Sequence, residues 1–189
     1  MRKKEHHMTS NPPGGGRILG SLRSADGKGV VRIEDRFDTD IDDLWSAIAD
    51  PSRLFRWYGR VEGDLRPGGE FHLFLESNDW EGAGRVEACE PPRRLLVTWR
   101  ESDASWRKGR GVPPFDATIE VTLTPDGEET VLVIEVLGLP LDAIAAYGAG
   151  WQIHAESLAA YLAGREAGGI EARWQELVPA YDDLAEKLT

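Results

Sequence analysis

Residues 147–162 read YGAGWQIHAESLAAYL, and the placement of this stretch decides the fold. Ile144, Tyr147, Gly148, Trp151, Ala155, Leu158 and Leu162 recur at steps of three and four, which marks one face of a long helix over 141–165, ended by Gly168-Gly169. Upstream of Pro140 the period is two instead. In GGEFHLFLE, Phe71, Leu73 and Leu75 alternate with His72 and Phe74. Further strands fall around GAGRVEACE, RLLVTWRE, ATIEVTLT and TVLVIEVL, separated by Pro91-Pro92, a long 102–115 loop and Pro125-Asp126-Gly127. Short sequential strands with turn signals imply an antiparallel sheet, which exposes one long apolar face. The 141–165 helix is the only element long enough to cover it.

Two short helices precede these strands. Thr39 and Asp42 have capping-box spacing ahead of an apolar face of Leu44, Trp45 and Ile48. Asp50-Pro51 ends that helix and starts a second, SRLFRWYG, with Leu54, Phe55, Trp57 and Tyr58; Asp50 suits the cap and Pro51 the first position. Earlier still, RILGSLR and GVVRIEDRF read as strands joined by a turn at Asp26-Gly27-Lys28-Gly29. Residues 1–16, ending in Pro-Pro-Gly-Gly-Gly, read as a disordered tail. Residues 170–189 read as an amphipathic extension carrying Trp174, Leu177, Val178, Tyr181, Leu184 and Leu188, interrupted by Pro179. The fold class expected is α+β, with a sheet curved around the long helix over residues 17–165 so that apolar side chains of both line an enclosed space.

Whole-chain composition narrows the function classes. With 41% hydrophobic residues, 189 residues bury a sizeable core without metal or disulfide staples, and the single cysteine, Cys89, rules out an internal disulfide. No apolar run nears the ~20 residues of a membrane helix, and the charged start has no apolar stretch behind it, so a cytoplasmic protein is the expectation. The net charge of −11 repels nucleic acid and anionic membrane surfaces. One local exception groups Trp106, Arg107, Lys108 and Arg110, either a solvated loop or a basic lip at a pocket mouth. His6 and His7 sit in the tail, where paired histidines are ordinarily solvated.

Four stretches, LWSAIADPSRLFRWYG, GDLRPGGEF, GRVEACEPPRRLLVTW and YGAGWQIHAESLAAYL, occur in the element order of a known family. Across residues 28–165 the chain resembles the START-like helix-grip superfamily (birch-pollen-allergen-like, polyketide-cyclase-like), in the branch similar to the heat-shock-protein ATPase activator domain. The resemblance implies about seven strands gripping a C-terminal helix around a hydrophobic cavity, with two short helices after the first strand. It implies no single activity, because relatives carry lipids or hormones, cyclise polyketides or serve as interaction modules. Some relatives place a polar side chain near the end of the last strand, where this chain has Val136.

Strand alternation and helix phase give the candidate ligand-binding set: Phe71 and Leu73 on one strand, Trp99 on another beside Leu95 and Val97, Phe55 and Trp57 on the short helix, and Tyr147, Trp151 and His154 on the long one. Simple packing accounts for any one aromatic, but seven tryptophans also suit a pocket for flat or aliphatic molecules. His154 sits on the flank of the buried stripe. It reads as a packed histidine, a ligand-orienting donor or a base, and Glu156 on the same helix points elsewhere. No metal-ligand spacing, phosphate loop, nucleophile elbow or basic recognition helix occurs, so no catalytic residue, metal or cofactor is assigned. The leading expectation is binding of a small lipid-like or polyketide-like ligand. The alternatives are a cofactor-free cyclase or aromatase using His154 or Tyr147, and an interaction module meeting a chaperone-type partner or a second copy through its surface and the Trp174/Tyr181 segment.

Overall fold

Asp26 and Gly27 have φ of 50° and 73°, the backbone of a tight primed turn, and they join β1 (Gly20–Ala25) to β2 (Lys28–Phe37). This computed structural model describes residues 17–75, 80–101 and 114–188. After β2 come α1 (Ile41–Ala49) and α2 (Pro51–Leu54), then β3 (Arg60–Gly63), β4 (Glu70–Leu75), β5 (Trp80–Glu90), β6 (Arg94–Glu101), β7 (Phe115–Asp126) and β8 (Glu129–Leu139). A 3-10 turn at Leu141–Ala143 leads into α3 (Ile144–Leu162), and α4 (Ile170–Ala185) follows. All strand pairs are antiparallel, in the order β1-β2-β8-β7-β6-β5-β4-β3.

The expected α+β helix-grip architecture is present, with eight strands among the described residues instead of about seven. The N-terminal hairpin adds β1 outside β2, so the two short helices follow the second strand. β3 was not expected as a strand; its four residues, Arg60, Val61, Glu62 and Gly63, are too few for a period to show. Two helix boundaries also differ. The α1 cap is Asp40, whose carboxylate accepts from the Asp43 amide at 2.8 Å, while Thr39 donates its hydroxyl to the Asp43 side chain. Asp50 caps α2 as expected, but the helix stops at Leu54 and residues 55–58 form a turn. Pro179 lies inside α4 without ending it. No helix among the described residues is long and apolar enough to cross a membrane.

The core is in two parts. The larger joins β2, β7 and β8 to α1, α3 and α4 through Ile33, Leu44, Leu132, Leu158, Leu177 and others. The smaller lies on β4, β5 and β6: Phe71, Leu73, Leu75, Val86 and Trp99. The alternation of Phe71, Leu73 and Leu75 is reproduced, all three being buried.

α3 is buried on more than one side, because α4 packs against it in addition to the sheet. Tyr181 of α4 is fully buried and lies over Gly148, where an added Cβ would sit 2.3 Å from the ring. Its hydroxyl donates to Gln152 Oε1 at 2.8 Å; the same oxygen accepts from the Leu19 amide at 3.0 Å, and Gln152 Nε2 donates to the Arg17 carbonyl at 2.8 Å. Gly148→Ala is therefore expected to destabilise by about 1–3 kcal/mol through overpacking, against the ordinary helix preference for alanine. Gly150→Ala meets only ordinary contact, 3.7 Å from Trp174, and should stabilise by about 0.5–1 kcal/mol. Urea midpoints for both variants check the pair; equal shifts of one sign would show that Tyr181 does not set the spacing.

Candidate functional site

The two core clusters do not close against each other. Between them and above the outer part of the sheet lie two connected hollows, of about 390 Å³ and about 150 Å³. The outer hollow is bounded by Trp99 and Glu101 of β6, Phe115 and Ile119 of β7, Val136 of β8, Tyr147, Trp151 and His154 of α3, and Ile170, Glu171 and Trp174 of α4. The inner one lies behind it, against Phe71 and Leu73 of β4, Val86 and Cys89 of β5, Leu95 and Val97 of β6, and Trp57. Tyr58, Trp99, Ile119 and Trp151 border both.

Helix phase explains the α3 contribution. Trp151, His154 and Leu158 are three and four residues apart, so they share a face. The rings of Trp151 and His154 meet Tyr58, which lies in the turn after α2. Tyr58 stacks on Trp151 at 6.0 Å between centroids and 27°, and meets His154 edge-on at 4.6 Å; His154 lies 5.8 Å from Trp151. Trp57 anchors the turn by donating its indole Nε1–H to the Ala47 carbonyl at 2.9 Å.

The polar groups here are few. Burial pushes His154 down to about 4, so the imidazole is neutral at pH 7. Burial, with the nearby Glu101 carboxylate, pushes the Tyr58 phenol above its ordinary range. Tyr147 donates its hydroxyl to Glu101 Oε2 at 3.0 Å, and Glu101 is only 5% exposed. His154 and the Tyr58 hydroxyl touch their neighbours through ring contacts alone and make no hydrogen bond to protein among the described residues. Glu156 faces away, as expected, and is held by Gln152 and Arg173. No group of three or more histidine, cysteine, aspartate or glutamate side chains among the described residues could hold a metal ion.

Seven of the eight candidate residues border the hollows. Tyr147 and His154 face the outer one, Phe71, Leu73 and Trp57 the inner one, and Trp99 and Trp151 both. Phe55 does not. It is 48% exposed and borders neither, because α2 ends one residue before it and the turn directs Phe55 outward while Trp57 and Tyr58 turn in. Sequence reading passed over Tyr58, Glu101, Phe115 and Trp174. Tyr58 was legible as part of the aromatic turn; Glu101 and Trp174 were not, since a charged strand end and a helix beyond Gly168-Gly169 carry no local sign of facing a cavity. The basic cluster Trp106, Arg107, Lys108 and Arg110, like His6 and His7, lies outside the described residues.

The fold is shared with solved structures. It is similar to the crystal structure of CalU16 from Micromonospora echinospora at TM-score 0.68 and 28% identity, over 88% of this chain and 95% of that one. The solution structure of CalU16 gives TM-score 0.71 and 27% identity, over 94% and 100%. DynU16, a protein of the dynemicin biosynthetic locus, is similar at TM-score 0.62 and 27% identity over 75% of this chain, which spans 50% of DynU16. No curated protein matches the chain. The family described as activator of Hsp90 ATPase homolog 1-like protein matches residues 38–163, from the approach to α1 through the end of α3. That span holds six of the eight strands, β3 to β8, the gripped helix and nearly all of the cavity wall, and the chain belongs to this family, within the START-like helix-grip superfamily.

Proposed function

We propose that the protein binds a small, largely hydrophobic ligand of lipid-like or polyketide-like character that carries at least one hydrogen-bonding group. The observation that carries this reading is a 390 Å³ hollow whose aromatic walls present a neutral imidazole and a phenol without protein partners among the described residues. That volume falls within the ~300–1,000 Å³ of small-molecule sites. Buried polar groups are ordinarily hydrogen-bonded, so a ligand hydroxyl or carbonyl meeting His154 and Tyr58 recovers what desolvation removes. DynU16's place in a biosynthetic locus supports a ligand of natural-product type. Trp99, Tyr147 and Trp151 supply the flat apolar surfaces.

Tryptophan fluorescence titrations with 2-naphthol and with naphthalene test this. Wild type should bind 2-naphthol about tenfold tighter, the equivalent of ~1.4 kcal/mol. His154→Leu should bring the two affinities together while keeping naphthalene binding. Absence of binding for both compounds would defeat the proposal.

A second reading, a cofactor-free cyclase or aromatase, draws on the Tyr147–Glu101 hydrogen bond in the same hollow as His154. There His154, neutral at pH 7, would accept a proton from a bound polyketide, and the Tyr147 oxygen, its proton held by Glu101, would accept from a hydroxyl of the same molecule. A His154→Leu protein that still binds ligand but no longer turns it over would favour this reading. The interaction-module reading loses one support, because α4 spends Leu177 and Tyr181 on its own domain, where both are buried.

A further inference from the structure

The inner hollow is unlike the outer one. Among the described residues that border it none is charged, and its polar groups are the Cys89 thiol, the Tyr58 hydroxyl and indole nitrogens, of which that of Trp57 is already bonded to Ala47. Its volume, about 150 Å³, equals that of apolar protein cavities that stay dry and accept one benzene-sized guest. The outer hollow bears the polar groups: His154, Glu101 and Tyr147. Tyr58, Trp99, Ile119 and Trp151 border both, and the stack of Tyr58 on Trp151 is the aromatic pair of this partition.

The two halves of this partition are held differently. Trp151 projects from the middle of a nineteen-residue helix packed on the sheet. Tyr58 projects from a turn, its backbone amide bonded to the Leu54 carbonyl at 2.9 Å, and its ring meets Trp57, Trp151 and His154 and packs against the β4–β6 cluster. A side-chain rotation of Tyr58 breaks no protein hydrogen bond among the described residues.

We infer that the inner hollow is a second subsite, taking a one-ring apolar arm of the ligand past a displaceable Tyr58, while the ligand body stays in the outer hollow. The inference rests on the ligand-binding reading above and sharpens it: the ligand is two-part, with a hydrogen-bonding body and a purely hydrocarbon arm. Tyr58 is then a specificity-determining residue for arm length. Cys89, the chain's single thiol, borders the arm's chamber and serves as its reporter.

The experiment compares 2-naphthol with 6-benzyl-2-naphthol by fluorescence titration, and follows the reaction of Cys89 with iodoacetamide. The benzyl arm should raise affinity at least tenfold in wild type and slow Cys89 alkylation at least fivefold, whereas bound 2-naphthol should leave alkylation unchanged. Cys89→Phe, which fills the chamber, should abolish the gain from the arm and leave 2-naphthol affinity within twofold. Should that variant fail to fold, the alkylation comparison on wild type decides alone. If 2-naphthol binds but the arm brings neither affinity nor protection, the second subsite is wrong and the outer site stands. If the gain persists in a folded Cys89→Phe protein, the arm lies elsewhere and the inference falls. If neither compound binds, the ligand-binding reading itself has failed and the subsite goes with it.

Discussion

Tyr181→Ala is expected to lower the unfolding free energy by about 3–5 kcal/mol, the range for removing a large buried aromatic side chain. The residue is fully buried, its ring fills the space left open by Gly20 and Gly148, and its hydroxyl meets Gln152. Loss of the ring leaves a void between α3 and α4, and Gln152 loses one of its donors. α4 is then held by the buried Leu177 and by the Arg173–Glu156 ion pair at 2.7 Å, the latter a partly exposed contact of modest worth. Since Ile170, Glu171 and Trp174 of α4 bound the outer hollow, loosening the helix should also weaken 2-naphthol binding. Tyr181→Phe separates the two contributions: keeping the ring and removing the hydroxyl should lower stability by only about 1–2 kcal/mol. Urea unfolding of the three proteins measures both. An alanine variant within 1 kcal/mol of wild type would mean that α4 is not anchored through this ring.

The second large effect is a pH dependence set by His154. Its ordinary value is 6.5 and burial brings it to about 4 in the folded chain. Above pH 6.5 the imidazole is neutral in both folded and unfolded states, and contributes no slope. Between pH 6.5 and 4 the unfolded chain takes up a proton that the folded one refuses, so stability falls as pH falls. Below about 4 both states are protonated and the loss is complete. A shift of this size corresponds to a total loss on the order of 3 kcal/mol. Tyr58 and Trp151 face the imidazole with aromatic edges and faces, and of the two acidic groups in the same hollow Glu101 already accepts from Tyr147 and Glu171 from Gln175. Carboxylates titrate in the lower part of this window too, so the diagnostic quantity is a difference. Stability of wild type minus that of His154→Leu, measured by urea unfolding from pH 7 to 4.5, should decline steadily with acidification. Parallel curves would show that His154 is not desolvated.

The elements carrying the fold were readable because their signals are local. Period-two alternation at Phe71, Leu73 and Leu75 gave β4, and three-four spacing around Trp151 gave α3. Asp50-Pro51 marked α2's start, yet nothing local fixed its end. Four residues of helix and eight of helix look alike in SRLFRWYG, and the difference is what turned Phe55 outward. β3 was too short to show a period. Glu101 reads as an ordinary exposed strand end, and its burial follows from Tyr147, forty-six positions away, donating to it.

The sequence by itself determined an α+β chain: antiparallel strands, one long covering helix, an aromatic-rich interior, and a strong negative charge. Those properties follow from side-chain periodicity and composition, which act over a few neighbouring residues. Tertiary structure alone decided that two hollows lie side by side, that Tyr58, Trp99, Ile119 and Trp151 border both, and that α4 adds to the wall of the outer one. The physical reason is that cavities arise where separate packing surfaces fail to meet. Here the β4–β6 cluster and the α3-side cluster are each well packed, and the space between them depends on how far the sheet curves before its last strands.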